Sequence, residues 1–316
     1  MDISRRSFLA TSGATALALG ARGQLPAAER QRGGNSKSKT TFCGFTKSFQ
    51  DWSIAEVCKR FKEIGLEGLD LTVRKGGHIE PKEAPKQLPI AAKAAAEAGL
   101  EISFLSTDIT DPDAEAEHVL ETAAALGIKK IKLGYYHYQP FGTLTRQLAE
   151  TQARIATVAK MCKKHGVLPC VHIHSGTNIP SHGTMLYELI KEFRPDEVGA
   201  YADMLHMALE GGAEGWRQGL DLLSPWLAIV SVKNFAWKEL DRDKYGQQRW
   251  KALTVPVADG VSPVPEFVAT LKKAGYFGVY SMHSEYKGKS SFKDLNTEEC
   301  LKQTAADLKF FKALFE

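Results

Sequence analysis

The sequence predicts one (β/α)8 barrel. From residue 41 onward, short β-rich runs alternate with longer stretches of helical period, eight times in about 275 residues. Glycine follows the helical stretch at positions 65, 99, 127, 166 and 275, the repeated C-cap punctuation of helices that hand the chain back to a strand. No glycine-rich loop follows the first strand, which sets aside the rival doubly wound sheet.

The first strand is expected at 41–45. A helix over 53–64 follows, with Ser53 as its cap and Glu56 completing a capping box. The second strand, 68–73, leads to a helix over 85–98, and the third, 101–106, to a helix over 113–126. The fourth, 130–134, precedes a long helix over 143–164. The fifth, 168–174, precedes 183–193, and the sixth, 198–203, precedes 212–223. After the seventh strand, 227–233, an insertion over 237–261 breaks the rhythm and carries Trp237, Tyr245 and Trp250. In a barrel that insertion lies over the mouth of the active site. A helix over 264–274, the eighth strand at 278–283 and a terminal helix over 297–315 complete the set.

Composition places the chain among ordinary globular proteins, with 43% hydrophobic and 25% charged residues. The formal net charge is +4, but the basic excess belongs to residues 1–40, and the rest of the chain comes to −1. The body therefore has no charge excess that favours nucleic acid. The five cysteines, Cys43, Cys58, Cys162, Cys170 and Cys300, form no CxxC pair and are odd in number, so they are read as small buried hydrophobes.

The chain opens Ser4-Arg5-Arg6-Ser7-Phe8-Leu9, and an uncharged stretch over 10–21 follows. Paired arginines before a modest apolar run resemble a twin-arginine export signal, expected over 1–28, with a polar linker over 29–40 and the barrel over 41–316. The run is too short and too rich in Gly, Ser and Thr for a membrane span. The expected destination is the periplasm.

Chemistry in a barrel sits where strands run into their helices. Seven of the nine histidines fall at such ends: His78, His137, His172, His174, His182, His206 and His283, while His118 and His165 lie in helical stretches. Imidazole and carboxylate together suit a divalent cation. His172 and His174 are two apart on a strand and share a face, as do His283 and Glu285. Asp203 and His206 flank the point where the sixth strand leaves the barrel. His78 and His137 suit substrate contact better than ligation, and His182 reads as an ordinary loop residue.

These residues give the resemblance. The run Gly68-Leu69-Asp70-Leu71-Thr72-Val73-Arg74 with Gly76-Gly77-His78, then His174-Ser175-Gly176, Asp203-Met204-Leu205-His206, Val232-Lys233-Asn234 and His283-Ser284-Glu285-Tyr286 fall in order on successive strands. Over residues 41–316 the chain resembles the sugar phosphate isomerase/epimerase family, with its xylose isomerase-like barrel, as a divergent exported branch. That resemblance implies one divalent ion, manganese or magnesium with zinc as a third candidate, held by Glu, Asp, His and Glu on strands five to eight. Asp203 matches the strand-six position, and His206 a substrate-contacting histidine three residues on. The strand-five position falls at His172, the strand-seven position at Ser231, and the strand-eight position at His283, with Glu285 two residues on. The departure has three readings: a ligand set rebuilt as His174, Asp203, His283 and Glu285, a water replacing the missing histidine, or loss of the metal. The rebuilt set is the expectation carried forward.

The resemblance further implies proton transfer beside a sugar carbonyl through an enediolate. Glu285 or His206 would be the base and Lys233 would support the developing negative charge. His78, His137, His172 and Trp237 would contact the sugar. The expected partner is a small carbohydrate, with homo-oligomer assembly left open. Two alternatives stand beside this reading: a lyase acting on keto-glycosides and a non-catalytic or metal-free sugar-binding barrel. A metal-dependent endonuclease, known from related barrels, would need a basic groove that the charge balance opposes.

Overall fold

The computed structural model describes residues 40–316. The export signal expected over 1–28, and all but the last residue of the linker expected over 29–40, lie outside the described residues.

Eight parallel strands close on themselves: β1 (Thr41–Phe45), β2 (Gly68–Thr72), β3 (Glu101–Ser106), β4 (Lys130–Lys132), β5 (Leu168–His172), β6 (Gly199–Asp203), β7 (Leu227–Val232) and β8 (Val279–Met282). Each pairs with the next, and β8 closes onto β1 from Thr41↔Val279 to Gly44↔Met282. Closure leaves no edge, and helices cover the outside, so the strands are buried almost throughout; β2 and β6 are buried at every position. Cys43, Phe104, Cys170, Tyr201, Ile229 and Val279 form a small core drawn from strands alone, and the larger core lies between strands and helices. All five cysteines are buried and unpaired.

The helices are α1 (Ile54–Glu63), α2 (Ala84–Glu97), α3 (Ala114–Ala125), α4 (Leu144–His165), α5 (Gly183–Ile190), α6 (Met204–Gly211), α7 (Gly215–Leu223), α8 (Val264–Lys273) and α9 (Thr297–Ala313). Their starts follow local chemistry. Ser53 accepts from the Glu56 amide at 3.2 Å, and Asp113 from the Ala116 amide at 2.7 Å. Asn296 and Glu299 form a full capping box at α9. At the other end of α4, Gly166 takes the left-handed conformation at φ 64°, which satisfies the last carbonyls at no steric cost.

Three features depart from the expected pattern. The 237–261 insertion is an antiparallel hairpin, Asn234–Leu240 paired with Arg249–Val255. The helix expected at 212–223 begins at Gly215, and a separate helix, α6, starts directly at the end of β6 because Asp203 caps it. A second small pair, Tyr136–His137 with Asn178–Ile179, links the loops after β4 and β5.

Helices α5 and α7 cross where two glycines meet. A Cβ on Gly219 would fall 2.8 Å from the Gly183 Cα, closer than packed carbons approach. Gly219→Ala is expected to destabilise the fold by about 1–3 kcal/mol through overpacking. Urea denaturation checks this, and an unchanged midpoint would show that the two helices separate freely.

Candidate active site

Asp203 ends β6 and is completely buried. Its Oδ1 accepts from the His206 backbone amide at 3.0 Å, which fixes the carboxylate as the cap of α6. Its Oδ2 faces into the barrel mouth, 3.1 Å from His172 Nε2 and 3.3 Å from Lys233 Nζ. Lys233 follows β7 directly. Its ammonium also reaches Glu285 Oε2 at 3.1 Å and His206 Nε2 at 2.9 Å. Lys47, in the 3-10 turn after β1, donates to the other Glu285 oxygen at 2.6 Å.

These contacts fix protonation. An ammonium only donates, so His206 Nε2 accepts from Lys233, and Nδ1 donates to Ser175 Oγ at 2.8 Å. His206 is therefore neutral, and burial pushes its pKa well below the ordinary value against the pull of Asp203. Burial also lowers His172 to about 3, again against Asp203. With Nε2 donating to Asp203, His172 Nδ1 accepts from the Tyr135 hydroxyl at 3.2 Å. Burial works the other way on the acids and would raise them. For Asp203 the neighbouring Lys233 and the His172 hydrogen bond outweigh it, and for Glu285 Lys233 and His283 do. Both stay well below the ordinary carboxylate range. Lys233 would be lowered by burial, but Asp203 and Glu285 raise it.

Around this centre stand supporting groups. The His283 ring stacks on Phe45 with centroids 4.3 Å apart. Its Nε2 meets the Tyr201 hydroxyl at 2.8 Å and Asp70 Oδ2 at 3.3 Å. Asp70 is itself held by Ser106 at 2.6 Å and Ser281 at 2.8 Å. The His174 ring lies 3.9 Å from the His206 ring, with Nδ1 accepting from Asn178 Nδ2 at 2.9 Å.

The centre lines a cavity of about 100 Å³ and an adjoining cleft of about 520 Å³; Lys47, His174, Lys233 and Glu285 border both. Together they reach the size range of small-molecule sites. On the far side of the smaller cavity, Arg74, Ser106, Lys132 and Tyr135 complete the wall.

Of the residues expected from sequence, His172, Asp203, His206, Lys233, His283 and Glu285 converge, and His174 stands beside them. His78 does not reach the cleft. Its backbone amide is tied to Thr72 Oγ at 2.9 Å, and its ring lies with Gln50, Trp52 and Ile90 on the outer wall. His137 is exposed on the small pair with Asn178. Trp237 stands half-exposed on the hairpin, edge-on to Phe235, and borders neither cavity. Sequence reasoning passed over Lys47, Asp70, Lys132, Tyr135 and Tyr201. Lys132 had a signal: it shares a face with Lys130, two residues earlier, and ends a strand, so one lysine of that run points the same way as the other along a barrel wall.

The donor set does not fit a divalent ion in this arrangement. The lone pairs of Asp203, His206 and Glu285 that would ligate one already surround the Lys233 ammonium. Of the other expected ligands, His174 Nδ1 is taken by Asn178, and His283 turns Nε2 to Tyr201 and holds Nδ1 3.7 Å from Glu285. Ser231, at the family's strand-seven position, has a buried hydroxyl without a partner, a weak neutral donor. Among the described residues, no three His, Cys, Asp or Glu side chains are grouped to hold a metal.

The sequence pattern of the xylose isomerase-like TIM barrel matches residues 58–314. The chain belongs to that family. No curated protein matches it by sequence. Among solved structures it is similar to D-psicose 3-epimerase with D-tagatose from Clostridium cellulolyticum H10, at TM-score 0.65 and 13% identity, covering 87% of this chain and 99% of that one. It is similar to 3-keto-D-glucoside 4-epimerase from E. coli, at TM-score 0.61 and 14% identity, covering 87% and 100%. A xylose isomerase-like barrel from Mycobacterium smegmatis in complex with magnesium matches at TM-score 0.62 and 14% identity, covering 90% and 100%. These likenesses establish the shared barrel. No helix among the described residues is long and apolar enough to cross a membrane.

Two outcomes follow from the centre. Wild-type protein dialysed against manganese is expected to retain none by elemental analysis, whereas Lys233→Ala frees Asp203, His206 and Glu285 and gains a manganese site. Stoichiometric manganese in the wild type would place the ion where the ammonium stands. The second concerns acid. His172 is neutral when folded down to about pH 3 but takes a proton near pH 6.5 when unfolded. The unfolded state then binds more protons, so stability is full above about pH 6.5 and is lost as pH falls toward 3. His172→Gln should flatten that slope in denaturation midpoints measured across the window, and an unchanged slope would assign it to other groups.

Proposed function

We propose that the protein is a sugar isomerase or epimerase that moves a proton beside a carbonyl through an enediolate. The observation that carries this reading is the Lys233 ammonium, held between Asp203 and Glu285 at the floor of a cleft at the strand ends. An enediolate places negative charge on the former carbonyl oxygen. A preorganised donor in a dry site stabilises that charge with little reorganisation. Lys233 is such a donor: Asp203 and His206 fix it, and the hydrogen it gives Glu285 is the one that would turn to the substrate oxygen.

Glu285 is the better candidate for the base. His206 has both ring nitrogens occupied, by Lys233 and Ser175, whereas Glu285 borders the cavity and is only partly buried. Its low pKa keeps it ionised through the neutral range. A carboxylate so stabilised is a weak base, and the neighbouring ammonium compensates by making the carbon acid stronger. His174, neutral, lines the same cavity and suits the sugar hydroxyls, whereas both ring nitrogens of His172 are held by Asp203 and Tyr135.

The fold neighbours support a carbohydrate reading, since two of them are named as sugar epimerases, one acting on a keto-glucoside. Elimination from a keto-glycoside starts with the same proton removal, so the lyase alternative would use the same residues. The metal expected from the family enters none of these steps, because its donors are committed to Lys233. The paired Arg5-Arg6 supports export to the periplasm, where the body over 41–316 would act on a free or oxidised sugar.

The test is solvent exchange in heavy water against a panel of free, phosphorylated and 3-keto sugars. Deuterium is expected at the carbon beside the carbonyl. Glu285→Gln should slow exchange by about 10²-fold or more, the scale of a lost general base. Lys233→Met should slow it by about 10²–10³-fold, the scale of a lost oxyanion donor. Absence of exchange with every sugar on the panel would sink the reading.

A further inference from the structure

The cleft has two unlike halves. The ends of strands β6 to β8 supply the paired centre of Asp203, Lys233 and Glu285. Strands β2 to β4 supply a wall with two cations and no acid aimed at them. Lys132 ends β4, lies in register with Ser106 on β3, and is 3% exposed. Its ammonium sits 3.6 Å from the centre of the Tyr135 ring and 3.4 Å from the Thr107 carbonyl, at the limit of a hydrogen bond. Arg74, just beyond β2, holds its guanidinium 5.7 Å from the Phe45 ring. No carboxylate among the described residues pairs with either. The nearest acids are committed elsewhere: Asp70 to Ser106, Ser281 and His283, and Asp108 to the Lys75 amide.

A buried ammonium without a counter-ion is expensive to keep charged. Burial and the nearby Arg74 push Lys132 down to about 7. A lysine that only packed would leave its head in water along an apolar stem. Lys132 instead brings its head into the cavity wall that Arg74, Ser106 and Tyr135 share. The arrangement is complete once an oxyanion enters.

The geometry points to an anionic sugar as the substrate class, its carboxylate or phosphate held between Lys132 and Arg74 while the carbonyl meets Lys233 across the cavity. The inference rests on reading this cleft as the substrate site, and it adds which sugars that site takes. Arg74 offers the planar fork suited to an oxyanion, and Lys132 a point charge. Glu285, on the opposite wall, repels the same group and so sets the direction in which the substrate enters.

The test is calorimetric binding of D-glucuronate, D-gluconate and D-glucose 6-phosphate to the full chain, against D-glucose and D-glucitol. At least one anionic sugar is expected to bind about tenfold or more tightly than its neutral parent, the scale of one charge-assisted hydrogen bond. The uronate and phosphate arms identify which oxyanion the wall prefers. Lys132→Met should reduce the preference to about twofold or less. Arg74→Gln, at a partly exposed position, should do the same without the folding risk of a core substitution. Binding of the preferred anion should also take up protons at neutral pH, as Lys132 becomes fully charged, and Lys132→Met should abolish that uptake. An anion preference absent from the whole panel, or one that survives both substitutions, overturns the inference. Solvent exchange reports separately: an anion preference without exchange leaves the subsite standing and removes the reaction, and exchange on neutral sugars alone does the reverse.

Discussion

Lys233 is a cation that the rest of the mouth must accommodate. An ammonium with almost no exposed surface survives only when its hydrogens find acceptors and its charge finds an anion. Asp203, Glu285 and His206 provide both. That requirement reaches backward into the fold. Asp203 faces Lys233 because its other oxygen caps α6, so a helix start and the Lys233 ion pair share one side chain. His206 accepts from Lys233 only as the neutral ring, and Ser175 on the next loop selects that tautomer. His172 then completes Asp203 from the side and passes the network on to Tyr135. Removing one member leaves the others as buried unpaired groups, which is why such a centre holds a single arrangement.

The barrel was readable because its signals are local. Helix stops at Gly65, Gly99, Gly127 and Gly166, caps at Ser53 and Asp113, and buried β runs each report on a few neighbouring residues. The hairpin over Asn234–Leu240 and Arg249–Val255 was not, because its pairing is carried by an alternation diluted with charge, Lys238 and Glu239 facing Lys251 and Trp250. The site shows the same division. Asp203, Lys233 and Glu285 stand at strand ends and were legible as chemistry. Their mutual arrangement was not, since it depends on where β6, β7 and β8 bring three side chains in space. Spacing along the chain therefore suggested a metal, and distance between strand ends placed an ammonium among the same donors. His78 misled for a related reason: it follows a strand end, yet it lies with Gln50, Trp52 and Ile90, away from the strand-end cavities.

The polarity of the cleft follows from the same economy of charge. Four cations line the smaller cavity, Lys47, Arg74, Lys132 and Lys233, and Glu285 is the one acid among its lining residues. Lys47 and Lys233 are spent on Glu285. The two that remain are grouped on one side, where an incoming anion gains most and competes least with the protein's own carboxylates.

A single-charged lysine in place of a divalent ion also changes what the fold demands. A metal draws its ligands to short, directed bonds and needs four or more of them. An ammonium needs three acceptors at hydrogen-bond distance and tolerates scatter in their positions. Ser231 at the strand-seven position is then free of a ligating role, and its unpartnered hydroxyl shows that nothing in the present arrangement calls on it. His283, freed likewise, turns to Tyr201 and Asp70 and stacks on Phe45, so it braces the floor instead of ligating. Lys233 supplies the positive charge that Asp203 and Glu285 require.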